Sequence, residues 1–161
     1  MGVSGCGKST LAQAVAQLRH VPFVEGDAHH PAANLAKMRE GIALTDADRE
    51  GWLATLATEL QHAGAVVLSC SALKRRYRDQ LRQAAPGLRF VFMDLSRDEA
   101  LRRVAARGAA HFFNAGLVDN QFDTLERPDG EPGVLRVDAT APLPQLLADV
   151  SAWIDHKETR Q

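Results

Sequence analysis

The chain has 161 residues, 45% of them apolar and 24% charged, with a formal net charge of -1. That length suits one domain with a real core, and the charge balance excludes a broad basic field for nucleic acid or anionic lipid. No stretch approaches the ~18 apolar residues of a membrane span, and two cysteines, Cys6 and Cys70, make no disulfide framework. A reduced, cytoplasmic setting is the expectation, with neither nucleic acid nor membrane as a partner.

The first ten residues, MGVSGCGKST, place Gly2, Gly7, Lys8 and Ser9 in the pattern G-x-x-x-x-G-K-[ST]. This is a phosphate-binding loop: its glycines let successive N–H groups point inward at a phosphate, at the positive end of the following helix. Gly2, Val3, Ser4, Gly5, Cys6, Gly7, Lys8, Ser9 and Thr10 are the candidate nucleotide-binding residues. Lys8 supplies a point charge to the β- and γ-phosphates, and Ser9 a hydroxyl to Mg²⁺. A buried strand ordinarily runs into such a loop. Here the loop starts at the second residue, so strand 1 is expected to be missing and Met1 to be an internal methionine of a longer natural chain. Neighbouring strands would then hold unpaired N–H and C=O groups, at roughly 1–3 kcal/mol each.

Further along, apolar runs alternate with helical patterns, which predicts a parallel α/β sheet. Ser9–Arg19 is a helix ended near Pro22, and Pro22–Asp27 (PFVEGD) a short strand ending in acid. Thr45–Gly64 is a helix opened by a Thr45/Asp48 capping box and closed by Gly64. Ala65–Ser69 is a strand; ALKRRYRDQLRQAA is a helix stopped at Pro86-Gly87. Arg89–Leu95 is a strand, RDEALRRVAARG a helix, Val134–Ala139 the last strand, and LPQLLADVSAWI lies in a terminal helix. No repeat or linker divides the chain, so residues 1–161 read as one domain.

Several segments carry candidate chemistry. Asp27, at the carboxyl end of its strand, is placed to accept a hydroxyl proton, and Glu25 to orient Mg²⁺ through water; a strand-end acid that caps the next helix is the other reading. His29 and His30 are adjacent, point to different sides, and have no third ligand nearby, so they make a poor metal pair. Arg49 sits in a first helical turn, where a cation opposes the helix dipole, a cost that gripping an anion would explain. Where many loops of this type are followed by an acid for Mg²⁺, this chain has Ser69-Cys70-Ser71, which leaves the acidic duty to Glu25 and Asp27. Lys74, Arg75, Arg76 and Arg78 form a basic run, read as a solvated face with one or two members turned to the cleft. Residues 102–116 combine arginines, small residues and aromatics, in the manner of a lid or of an apolar loop on the core.

Together, GVSGCGKST, EGDAHHPAANLAKMREGIALTDADREGWL, SCSALKRRYRDQLR, HFF and NQFDTLERP resemble the gluconokinases, P-loop kinases of the shikimate-kinase and nucleoside-monophosphate-kinase group. The resemblance runs along nearly the whole chain. It implies a three-layer α/β/α fold, a five-stranded parallel sheet in order 2-3-1-4-5, and a lid around residues 107–120. It further implies ATP and Mg²⁺ as cofactors, D-gluconate as substrate and a homodimer. The implied catalytic residues are Lys8, Asp27 as general base, and Arg107. The implied substrate contacts are Asp27, His30, Arg49, Lys74, Arg78, His111 and Gln121, and the metal is met by Ser9 and, through water, Glu25. A kinase for another hydroxy-acid such as shikimate is the alternative within enzymes. A nucleotide-binding protein inactivated by N-terminal truncation is the alternative outside them.

Overall fold

A left-handed glycine starts the first helix. Gly7 (φ 88°) turns the loop into α1 (Lys8–Arg19), whose Leu11, Val15 and Ala16 face inward. The computed structural model describes residues 1–106 and 115–156. After α1 come β1 (Phe23–Glu25), a 3-10 turn (Gly26–His29), α2 (Ala32–Arg39), α3 (Asp46–His62), β2 (Val67–Ser69) and α4 (Arg75–Ala84). The second half holds β3 (Phe90–Asp94), α5 (Arg97–Ala106), α6 (Ala115–Thr124), β4 (Val134–Asp138) and α7 (Leu143–Asp155).

The strands pair in parallel as two two-stranded sheets, β1 with β2 and β3 with β4. The five-stranded order implied by the resemblance, with its strand 1 expected to be missing, is met by four strands among the described residues. Met1 and Gly2 stand between the two halves. The Met1 amine donates to the Val91 carbonyl at 2.6 Å. The Met93 N–H donates to the Met1 carbonyl at 3.0 Å, and the Gly2 N–H to the Ser71 carbonyl at 3.2 Å. Residues 1–2 therefore occupy the central position of the 2-3-1-4-5 order, with β1 and β2 as its strands 2 and 3, and β3 and β4 as its strands 4 and 5.

Two apolar clusters sit on the faces of this array. Val3, Leu11, Val15, Met93, Val104, Val118, Leu146 and Val150 join α1, α5, α6 and α7 to the sheet. Trp52, Leu53, Leu56, Leu60, Tyr77, Leu81 and Phe90 join α3 and α4 to it. These are the three layers anticipated from the alternation of apolar runs. No helix of the described residues is long and apolar enough to cross a membrane.

The boundaries follow local chemistry. α3 begins with the predicted capping box: the Asp48 N–H donates to Thr45 Oγ1 at 3.2 Å, and the Thr45 N–H to Asp48 Oδ2 at 2.8 Å. α4 starts at Arg75 rather than Ala72, because Ala72 adopts φ 45°. Neither α2 nor α6 was legible as a helix.

Candidate active site

Parallel pairing brings the chemistry to one edge. The register sets Glu25 against Ser69 at the carboxyl ends of β1 and β2, beside the start of α1. There Ser9 Oγ and Ser69 Oγ lie 3.2 Å apart. Ser69 is a buried residue that sequence reasoning passed over, seeing only an absent acid. As acceptor of the Ser9 hydroxyl proton, it would leave the Ser9 lone pairs turned outward. Glu25 Oε1 is buried with no hydrogen-bond partner in the protein.

Gly5 (φ 85°) lies so close to α5 that an added Cβ would stand 3.1 Å from the Ala100 carbonyl oxygen. The loop is therefore packed against α5 on one side and against Met93 of β3 on the other. Burial alone would lower the pKa of the Lys8 ammonium, but Cys6, Asp27 and Glu25 more than offset it, so it lies above the ordinary 10.5. Lys8 is a permanent cation in this site. Burial, with Asp27 adding to it, pushes the Cys70 thiol up to about 12, so it remains a protonated, inert neighbour.

The 3-10 turn that carries Asp27 is held from two sides. Trp52 Nε1 donates to the Gly26 carbonyl at 2.7 Å. A Cβ on Gly26 would fall well inside contact distance of the Ser69 carbonyl oxygen, so only glycine lets the turn close on β2. The His30 ring stacks on Trp52 with centroids 4.3 Å apart, and its Nδ1 lies 3.3 Å from Asn34 Nδ2. Burial holds the His30 pKa below 6.5, Asp27 opposing this and Arg49 adding to it, so the ring is neutral at pH 7.

α2 braces α3 from the other side. Asn34 Nδ2 donates to the Asp48 carbonyl and Lys37 Nζ to Asp48 Oδ1, each at 2.7 Å. Arg49 follows directly, and its guanidinium donates to the carbonyls of Leu44 and Thr45 through Nη1 alone. Those bonds occupy one nitrogen and leave the rest of the fork for a ligand. The regular intervals of residues 30–49 are thus a brace that aims His30 and Arg49.

Lys8, Asp27, His30, Arg49, Trp52 and Gln121 line one cleft. Gln121 projects from α6, and its Oε1 accepts a 2.6 Å bond from the Ser4 N–H. Two expected substrate residues are elsewhere. Arg78 is completely buried, and Nε, Nη1 and Nη2 all donate to protein: to Glu131 and to the carbonyls of Ala72, Leu73 and Glu126. It is an internal tie, because Glu131, 53 residues downstream, takes the charge a ligand would have taken. Lys74 is bonded to Asp46 at 3.0 Å, together with Arg76 and Tyr77, and is not among the cleft-lining side chains. Arg107 and His111 lie outside the described residues, as does residue range 107–114 of the expected lid; its remainder belongs to α6. Among the described residues no group of three or more His, Cys, Asp or Glu could hold a metal ion by itself.

A family model described as an AAA domain matches residues 1–128. The chain is 42% identical over 153 residues to the thermoresistant gluconokinase of Escherichia coli (strain K12), covering 92% of this chain and 87% of that one. It is 45% identical over 141 residues to the gluconokinase of Gluconobacter oxydans (strain 621H), covering 85% and 79%. A crystal structure of a gluconokinase from Sinorhizobium meliloti 1021 matches with a TM-score of 0.84 at 44% identity, over 97% of this chain and 95% of that one. A phosphate loop, an acid-ended strand beside it and a braced arginine in one cleft agree with that likeness, and the chain belongs to the gluconokinase family of P-loop kinases.

Proposed function

We propose that this protein transfers the γ-phosphoryl group of ATP to the 6-hydroxyl of D-gluconate, giving ADP and 6-phospho-D-gluconate. The observation that carries the reading is the cleft itself, in which Lys8 and Asp27 stand together with Arg49 and Gln121 in a chain 40–45% identical to gluconokinases over most of its length.

The residues fit a nucleotide with Mg²⁺. Gly2–Thr10 would hold its phosphates, and Ser9, with Glu25 through water, would meet the metal, for which the unpartnered Glu25 Oε1 is a fitting acceptor. Mg²⁺ usually keeps several waters and shares phosphate oxygens, so no protein cage of its own is needed. When bound, it neutralises charge on the phosphate oxygens. The chain's own residues do the rest by positioning and electrostatics. Asp27 accepts the proton of the acceptor hydroxyl as that oxygen bonds to the γ-phosphorus and the bridging oxygen leaves with ADP. Lys8 balances charge on the migrating group, and Arg49 grips the sugar-acid carboxylate. Arg107 and His111 are assigned to a lid over the phosphates, in a single domain that pairs as a homodimer in the cytoplasm.

Coupled measurement of ADP release against a panel of sugar and hydroxy-acids tests the reading. Gluconate-dependent release, with shikimate inactive, is the expected result; shikimate-dependent release or acceptor-independent hydrolysis alone would reject it.

A further inference from the structure

Ser4 lies in the phosphate loop, yet its backbone N–H is donated to a side chain 117 residues away, the Oε1 of Gln121. A backbone N–H only donates, so this bond decides the orientation of the Gln121 amide: Oε1 to the loop and Nε2 away from it. Gln121 also lines the cleft that holds Asp27 and Arg49. The acceptor-facing end of this side chain is therefore a donor, suited to a hydroxyl, carboxylate or phosphoryl oxygen. On the loop side, Ser4 is buried and its Oγ has no partner in the protein.

The base of Gln121 is firmly set. Arg97 of α5 donates to Asp119 at 3.1 Å and to Asp123 at 2.7 Å, two positions before and after Gln121 on α6. Val118 of the same helix is fully buried in the core. Just beyond α6, the Glu126 N–H donates to the Leu73 carbonyl at 2.9 Å. These contacts hold the helix from which Gln121 reaches both the loop and the cleft.

We propose that Gln121 is a positioning residue that couples the two substrates: it holds the phosphate loop through the Ser4 N–H and the acceptor through its own Nε2. Acceptor binding then steadies the loop geometry that nucleotide needs, and by linkage nucleotide favours the acceptor to the same degree. The proposal rests on the gluconate reading for the identity of the acceptor, but its loop end does not.

Two substitutions separate the ends. Gln121→Glu keeps an oxygen for the Ser4 N–H but turns the cleft-facing donor into an anion. Gln121→Leu removes both bonds at similar volume. MgADP dissociation constants, with and without gluconate, are to be measured by calorimetry beside the two Michaelis constants. In the wild type, gluconate should tighten MgADP by roughly five-fold or more. At raised ionic strength, which screens the added charge, Gln121→Glu should bind MgADP alone closer to the wild type than Gln121→Leu does, raise the KM for gluconate by about ten-fold or more, and lose the coupling. Gln121→Leu should weaken MgADP alone as well. Equal behaviour of the two variants towards MgADP, or an unchanged KM for gluconate in Gln121→Glu, would overturn the link while leaving the gluconate reading intact. A wild type that turns over no gluconate would overturn that reading and, with it, the acceptor end of the link. The MgADP comparison would still decide the loop end.

Discussion

Arg49 and Arg78 look alike in the sequence, each a cation on a helix near the site. What separates them is how many of their donors the protein consumes. Arg78 spends every nitrogen on Glu131 and backbone carbonyls, whereas Arg49 spends one nitrogen on two carbonyls. Arg49→Lys should raise the KM for gluconate by about ten-fold with the KM for ATP nearly unchanged, since an ammonium cannot make a planar two-point grip; a rise confined to ATP would assign Arg49 to the other substrate. Gly26 acts through space rather than charge. Gly26→Ala would drive a methyl group into the Ser69 carbonyl, forcing apart the turn of Asp27 and the end of β2. We expect a loss of about 1–3 kcal/mol, seen as a melting temperature lower by roughly 2–12 °C, together with a fall in kcat. Wild-type stability in that variant would mean the turn relaxes freely.

At the scale of elements, the site is the place where two strand ends and two helix starts meet. β2 ends in Ser69, which faces Ser9 at the head of α1. A neutral hydroxyl there orients Ser9 without adding charge, leaving the negative charge to Glu25 and Asp27. Ser69→Ala should raise the Mg²⁺ concentration needed for half-maximal rate several-fold and shrink the extra thermal stabilisation that MgADP gives over ADP, the effect of one lost hydrogen bond. Equal stabilisation in variant and wild type would show that Ser9 needs no such partner. α2 is an element of another kind. Its eight residues, AANLAKMR, follow a proline and carry little amphipathic pattern, so nothing local announces them. Their helix is held by Asn34 and Lys37 reaching Asp48 at the start of α3. α3 itself was legible because the Thr45/Asp48 capping box is a local device, complete within four residues.

Across the whole molecule, buried polar groups set the response to mutation and to pH. Arg78 ties α4 to the segments around Ala72 and Glu126–Glu131, and Glu131 also accepts from Arg82 at 3.0 Å. Arg78→Ala would leave Glu131 with Arg82 alone and take their shared donor from the carbonyls of Ala72, Leu73 and Glu126, and should cost about 3–5 kcal/mol of stability, with the KM for gluconate little changed in the folded fraction. A variant of normal stability with a raised KM would return Arg78 to the substrate site. For pH, His30 has a folded-state pKa below its ordinary 6.5, chiefly through burial. Above pH 6.5 neither state binds the proton and His30 has no effect. Below it the unfolded chain is protonated first, so stability falls as pH drops towards the lowered folded value. Glu131, held below 4.5 first of all by its bond to Arg78, is ionised in both states at neutral pH and adds a further loss only as pH falls through 4.5 and lower. His30→Gln should therefore flatten the melting-temperature profile just below pH 6.5 and leave the limb below pH 4.5 unchanged; identical profiles would assign the loss to other groups.

What the sequence by itself determined is everything written in short range. The phosphate loop, the helix after it, the capped start of α3, and the alternation that makes a three-layer α/β/α array all depend on residues within a few positions of one another. Only the tertiary structure decided which of the candidate side chains face the cleft. Arg78 was claimed by Glu131, Lys74 by Asp46, and Gln121 by the Ser4 N–H. Each of those choices is a pairing between segments at least 28 residues apart, settled by which donor meets an acceptor once the elements are packed, and no local pattern carries that information.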